Sequence, residues 1–72
     1  MNPHSILVNG DRREYAESAF PATVLALVES LGINPQMVVA EVNGEIVKRD
    51  NFAAHPLASG DKIELVRFVG GG

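Results

Sequence analysis

Two Asn-Gly pairs, at positions 9–10 and 43–44, constrain the fold of this 72-residue chain more than any other feature. Asn and Gly tolerate positive φ, so the pair is typical of the type I′ turn that joins two antiparallel strands. The first pair predicts a hairpin of strands 5–8 and 12–16, and the second predicts a hairpin of strands 37–42 and 45–47. Arg12, Arg13 and Glu14 suit an edge strand, because charged side chains discourage pairing with other molecules.

A single helical pattern lies between the two hairpins. Apolar residues recur on one face from Val24 to Leu31, and Thr23 precedes them as an N-cap. Gly32 suits the position that follows a helix, and Pro35 prevents continuation. We expect this helix to supply the core by packing its apolar face on the sheet.

An irregular stretch, 48–59, and a last strand that begins at Ile63 complete the chain. Phe52 and Leu57 are expected to anchor the irregular stretch to the core, and residues 59–62 (S-G-D-K) predict a tight turn. The chain is too short for two layers of helices, so its one helix must cover one face of a single mixed sheet. The predicted fold is a two-layer α+β domain.

The last strand carries apolar residues on both faces. Ile63 and Leu65 share one face, whereas Val66 and Phe68 fall on the opposite face with Glu64. If the first pair faces the helix, Val66 and Phe68 lie on the open side of the sheet, where exposed apolar residues often mark a docking site. The alternatives are that stretch 48–59 folds over them, or that the strand twists enough to bury them.

The last strand continues into Gly70, Gly71 and Gly72, the glycine tail. Without a Cβ, glycine can thread a narrow channel and is mobile when unbound. Such a tail offers only the chemistry of a terminal carboxylate, which would be a substrate that needs activation and not a catalyst. A frayed end or cloning remnant is the alternative interpretation. We expect a folded domain over 1–69 and a flexible tail over 70–72.

Composition narrows the functional classes. The net charge of −3, with six scattered basic residues, argues against nucleic-acid binding. With no cysteine, disulfides, thiolate zinc sites and cysteine nucleophiles are excluded. The sequence shows neither a signal-peptide pattern nor an apolar run long enough to span a membrane, so a cytoplasmic location is expected.

Catalytic and metal-binding patterns are weak. His4 and His55 are the only imidazoles, and a zinc site needs three or four ligands. The serines have no Ser-His-Asp or nucleophile-elbow context. Solvated turns and an exposed strand face explain Asp50, Asp61 and Glu64 better than acid–base catalysis does. No catalytic residue and no metal ligand is assigned.

Three segments carry a resemblance to a known family: V-V-A-E-V-N-G-E-I-V (38–47), N-F-A-A-H-P-L-A-S-G-D-K-I-E-L-V (51–66) and F-V-G-G-G (68–72). They resemble the ThiS family, the sulfur carrier proteins of thiamine biosynthesis, while residues 1–37 match mainly in pattern. The resemblance implies a ubiquitin-like β-grasp fold over 1–69, with one helix on a four- to five-stranded mixed sheet. It also implies that the first and last strands are parallel and central.

The same resemblance implies a chemistry. An E1-like adenylating enzyme of the ThiF type would use ATP and magnesium to adenylate Gly72, and a sulfur donor protein would convert it to a thiocarboxylate. Thiazole synthase, of the ThiG type, would then receive the sulfur. Gly71 and Gly72 are the implied functional pair, with Gly70 as an extra tail residue, while Val66 and Phe68 are predicted to contact the partner enzymes. The carrier itself is expected to bind no cofactor.

Alternatives remain at this stage. The small subunit of molybdopterin synthase also ends in Gly-Gly, but often has a proline-rich segment before it, whereas V-R-F-V precedes the glycines here. Carriers for tRNA thiolation or cysteine synthesis, and a protein modifier that conjugates to lysines, would use the same kind of tail. A β-grasp interaction module with an inert tail belongs to a different class, and deletion of Gly71 and Gly72 would leave its binding intact.

Overall fold

The computed structural model describes residues 4–68. The elements follow the predicted order of hairpin, helix, hairpin, irregular stretch and strand. Their bounds are β1 His4–Val8, β2 Asp11–Tyr15, α1 Val24–Ser30, β3 Val38–Val42, β4 Glu45–Val47 and β5 Lys62–Arg67. Short 3₁₀ turns occupy Glu17–Ala19, Pro35–Met37 and Arg49–Asn51.

The strands form one five-stranded sheet in the order β2-β1-β5-β3-β4. β1 and β5 are parallel, and the other neighbouring pairs are antiparallel. The predicted α+β fold, with one helix on a mixed sheet, is therefore confirmed. The charged strand β2 lies at an edge, as its Arg and Glu residues predict.

The two Asn-Gly turns have the backbone conformation that the sequence predicts. φ is 51° at Asn9 and 85° at Gly10 in the first turn, and 53° at Asn43 and 87° at Gly44 in the second. Positive φ at both central residues defines the type I′ turn, whose twist matches that of the flanking strands. These four residues therefore fix both hairpins locally.

Both ends of α1 are also set by local residues. The Thr23 hydroxyl oxygen accepts a hydrogen bond from the Ala26 N–H at 3.1 Å. At the other end, the N–H groups of Gly32 and Ile33 donate to the carbonyls of Glu29 and Val28 at 3.0 and 3.1 Å. This pair of bonds is the Schellman arrangement that ends a helix.

The core lies between α1 and one face of the sheet. Its buried residues come from the helix, from four strands and from the stretch 48–59; they are Ile6, Val8, Val24, Leu27, Val28, Val38, Ala40, Val42, Val47, Phe52, Leu57, Ile63 and Leu65. Phe52 and Leu57 are thus buried anchors, as predicted.

The stretch 48–59 packs against the start of the helix. The carbonyls of Phe52 and His55 accept hydrogen bonds from the N–H groups of Leu25 and Val24, each at 3.0 Å. These contacts supply acceptors to helix N–H groups that have no partner within the helix. Because the stretch lies here, the alternative in which it covers Val66 and Phe68 is wrong.

Candidate functional site

Strand β5 is the last strand of the chain, and it precedes the glycine tail in the sequence. It pairs with β1 on one side, through Leu7 and Val8, and with β3 on the other, from Val38 opposite Arg67 to Val42 opposite Ile63. The Phe68 N–H extends the second pairing by donating to the Met37 carbonyl at 3.2 Å. The chain is therefore fixed by backbone hydrogen bonds up to Phe68.

The side chain of Asn9 extends the short pairing between β1 and β5. Its Oδ1 accepts from the Leu65 N–H at 2.7 Å, and its Nδ2 donates to the Leu65 carbonyl at 3.1 Å. The amide thus takes the place of a further strand residue beside β5. From the sequence, Asn9 was expected only as a turn residue. The signal that could have indicated this second role is its amide, which can both donate and accept a hydrogen bond, unlike a carboxylate.

Asn43 binds the start of β5 in a similar way. Its Oδ1 accepts from the Lys62 N–H at 3.0 Å, and its Nδ2 donates to the Asp61 carboxylate at 3.0 Å. Each Asn-Gly turn thus also fixes the central strand of the sheet.

We expect Asn9→Gly to lower the free energy of unfolding by about 1–3 kcal/mol, because it removes two hydrogen bonds but keeps a residue that tolerates positive φ. Urea unfolding would measure the loss, and amide hydrogen exchange at Leu65 should accelerate. Asn43→Gly is the matched control, with a smaller expected loss because its hydrogen bonds are exposed. Unchanged exchange at Leu65 would contradict this role of Asn9.

The face of the sheet away from the helix, the open face, carries an exposed apolar strip of Val39, Ile46, Val66 and Phe68. Val66 is 62% exposed and Phe68 is 42% exposed, while Ile63 and Leu65 are buried against the helix. Val39 lies directly opposite Val66. Of the alternatives that the sequence leaves open, exposure of Val66 and Phe68 on the open face is the one found. Their contact with partner enzymes stays a prediction.

Two members of this strip, Val39 and Ile46, were not expected from the sequence. Val39 is 42% exposed and Ile46 is 69% exposed, on β3 and β4. The segment 37–42 is apolar except for Glu41, and Ile46 is followed directly by Val47, so alternation within these segments does not show which apolar side chains face outward. The structure thus adds two exposed apolar residues to the two considered at the end of the chain.

Two carboxylates lie beside the apolar strip. Glu41 of β3 is directly opposite Glu64 of β5 and also opposite Ile46 of β4. The register of β3 and β5 places the Val39–Val66 pair in the next row on the same face. The open face therefore has an acidic centre bordered by apolar side chains.

The histidines and carboxylates of residues 4–68 form no group of three or more that could hold a metal ion. His4 instead packs edge-to-face on Phe20, with ring centroids 5.3 Å apart, and Tyr15 packs on the same ring at 5.8 Å. Within the same residues, no helix is long and apolar enough to cross a membrane.

The predictions for Gly70, Gly71 and Gly72, and the predicted domain boundary between 69 and 70, lie outside the described residues. The structure defines the strand and the open face that precede them.

One helix on a five-stranded sheet with parallel β1 and β5 defines a small β-grasp protein. Two solved structures of thiamine biosynthesis protein from Geobacter metallireducens share this fold. The crystal structure, named ThiS, has a TM-score of 0.77 and 32% identity, covering 94% of this chain and 99% of that one. The solution structure has a TM-score of 0.73 and 32% identity, covering 94% of this chain and 87% of that one.

The model of the ThiS family matches residues 6–72. The match begins within β1 and continues through the helix, the second hairpin, β5 and the glycines. The chain therefore belongs to the ThiS family.

Two curated relatives are longer proteins named thiazole synthase. The protein from Paramagnetospirillum magneticum is 39% identical over 67 residues, which cover 93% of this chain and 20% of the relative. The protein from Magnetococcus marinus is 40% identical over 50 residues, which cover 69% of this chain and 15% of the relative. The chain thus spans a fifth or less of the length of these relatives.

Proposed function

We propose that this chain is a sulfur carrier of thiamine biosynthesis and that it holds its sulfur as a thiocarboxylate on Gly72. The observation that carries the proposal is the ThiS family match, which continues through the glycines to residue 72. The thiamine biosynthesis proteins of Geobacter metallireducens, similar over 94% of this chain, support the same pathway.

The proposed chemistry occurs at the carboxylate of Gly72. A carboxylate oxygen attacks the α-phosphorus of ATP in an adenylating enzyme of the ThiF type, which uses magnesium, and pyrophosphate leaves. Hydrosulfide delivered by a sulfur donor protein then attacks the acyl carbon, its proton passes to solvent, and AMP leaves. The product is a thiocarboxylate, in which one carboxylate oxygen has been replaced by sulfur. In this scheme the chain is a protein substrate, and the partner enzymes supply the catalytic groups.

Thiazole synthase, of the ThiG type, is the proposed acceptor of the sulfur. The curated relatives support it, because a segment similar to this chain occurs within longer polypeptides of that name. Linking two modules in one polypeptide raises their effective concentration for each other, which benefits domains that act in sequence.

Intact mass spectrometry tests the proposal. The chain is incubated with ATP, magnesium, a ThiF-type adenylating enzyme and a sulfur source, and fragmentation then locates any added mass. Localisation is needed because oxidation of Met1 or Met37 adds nearly the same mass as replacing oxygen by sulfur. Sulfur at Gly72 is the expected result. An unmodified Gly72, with enzymes that load a control carrier, would favour the interaction module with an inert tail.

The apolar strip on the open face is the proposed docking site for the adenylating enzyme. We expect Phe68→Asp to lower kcat/KM for adenylation about tenfold or more, because it places a charge where apolar contact is needed. Pyrophosphate release measures the rate. Ala53→Asp adds the same charge at an exposed site in the stretch that packs near the helix, and should leave the rate within about twofold of the original. An unchanged rate in Phe68→Asp would refute this docking role.

A further inference from the structure

Two acidic residues lie directly opposite each other on the open face. Directly opposite side chains have Cβ atoms about 4.5–5.5 Å apart, and like charges at this distance are destabilising. Glu41 and Glu64 have this relation. The one ion pair found among residues 4–68 joins Arg12 and Glu14 of β2, at 3.1 Å. It therefore involves neither Glu41 nor Glu64.

The nearest cation along β5 gives limited relief. Lys62 precedes Glu64 by two residues on the same face, so their Cα atoms are about 6.6 Å apart. Lys62 forms no ion pair with Glu64 among the described residues. Two directly opposite acidic residues are therefore accessible to a partner without an ion pair among the described residues, since Glu64 is exposed and Glu41 is half-buried.

Apolar side chains lie beside the two acidic residues in two directions. The Val39–Val66 pair borders them on one side, and Ile46 lies opposite Glu41 on β4. A partner that covers the apolar strip must also cover the carboxylates. Burying two unpaired charges would be costly, so the covering surface has to supply a positive group.

We propose that the adenylating enzyme places one cationic side chain, an Arg guanidinium or a Lys ammonium, between Glu41 and Glu64. This inference rests on the proposed function and adds the chemistry by which the open face is recognised. Phe68 is four residues before Gly72, so a carboxylate at Gly72 lies at most about 14 Å further along the chain. An enzyme that binds the open face can therefore bind the tail in an active site within this distance of Phe68.

Charge also favours this occupant over a second copy of the chain. Two open faces packed together would bring four carboxylates into one interface, and like-charge contacts disfavour such complexes. The same charges repel the phosphates of nucleic acid. A cationic protein surface is thus the complementary partner.

If a cation of the enzyme lies between the two carboxylates, removing their charges should raise the stability of the chain and weaken its binding to the enzyme. The double variant Glu41→Gln/Glu64→Gln should raise Tm by about 1–5 °C, because it removes the like-charge contact. The same variant should weaken binding to the adenylating enzyme about fivefold or more, because the enzyme's cation loses both partners. Raising the salt concentration should weaken binding of the original chain more steeply than binding of the double variant.

Differential scanning calorimetry measures Tm, and isothermal titration calorimetry against the adenylating enzyme measures Kd. Glu17→Gln is the matched control, since it removes one exposed carboxylate from the turn Glu17–Ala19, away from the sheet. Its Kd should stay within about twofold of the original. Glu64→Lys should raise Tm through an opposite-charge pair with Glu41, and should bind more weakly than Glu64→Gln.

Two outcomes would overturn the inference. Binding of the double variant as tight as that of the original chain, with the same salt dependence, would show that no cation sits between the carboxylates. Tighter binding of Glu64→Lys would show that the partner surface is acidic. If the original chain neither binds the enzyme nor is adenylated by it, the proposed function itself fails, which distinguishes the two failures.

Discussion

Deletion of Gly71 and Gly72 is expected to abolish sulfur loading completely while leaving Tm within about 1 °C of the original. Loading requires the carboxylate to reach an activating centre, and the shortened chain would end at Gly70, two residues further back. The helices and strands described within residues 4–68 all end by Arg67, so the deletion removes none of these elements. Mass spectrometry after incubation with the adenylating enzyme, ATP and the sulfur source measures the loss.

The same deletion separates a carrier from an interaction module. The shortened chain should still compete with the original chain for the adenylating enzyme, because the open face is intact. Phe68→Asp in the chain that keeps Gly71 and Gly72 is the complementary control, since it alters the face and leaves the glycines in place. Sulfur transfer that persists without Gly71 and Gly72 would rule out Gly72 as the carrier of the sulfur.

Phe52→Ala is expected to have the largest effect on stability. Phe52 is 2% exposed and is the largest fully buried side chain. Truncating a buried Phe costs about 3–5 kcal/mol, whereas a domain of this size has a free energy of unfolding of about 4–11 kcal/mol. The Phe52 carbonyl also accepts a hydrogen bond from Leu25 at the start of the helix, so a shift of the backbone would loosen α1 as well.

Urea unfolding monitored by circular dichroism measures this loss. Ile46→Ala is the matched control, because Ile46 is also a large apolar residue but is 69% exposed, and its expected loss is about 0.5 kcal/mol or less. A loss below about 1 kcal/mol for Phe52→Ala would mean that the stretch 48–59 contributes little to the core.

Features set by neighbouring residues could be predicted from the sequence. The Asn-Gly turns, the Thr23 cap and the end of the helix at Gly32 depend on contacts within a few positions, and each is found in the structure. The order of hairpin, helix, hairpin and strand then limits the ways in which the strands can be arranged in one sheet. The parallel pairing of β1 and β5 was implied by family resemblance and is confirmed.

Features set by strand register could not be predicted in the same way. The bond from Asn9 to Leu65 joins residues 56 positions apart, and no local pattern encodes that distance. The opposition of Glu41 and Glu64, and the exposure of Ile46, likewise require the exact alignment of β3 with its two neighbours. The sequence identified Val66 and Phe68 through strand alternation, which is a local property.

The central position of β5 also determines when the docking surface comes into existence. The two hairpins share no sheet until residues 62–67 insert between β1 and β3. Pairing β1 with β5 closes a loop of more than fifty residues, a slow step that depends on nearly the whole domain being available. An enzyme that recognises the open face would therefore not bind chains that are incomplete or unfolded. ATP would then be consumed only in the adenylation of chains whose sheet has already formed.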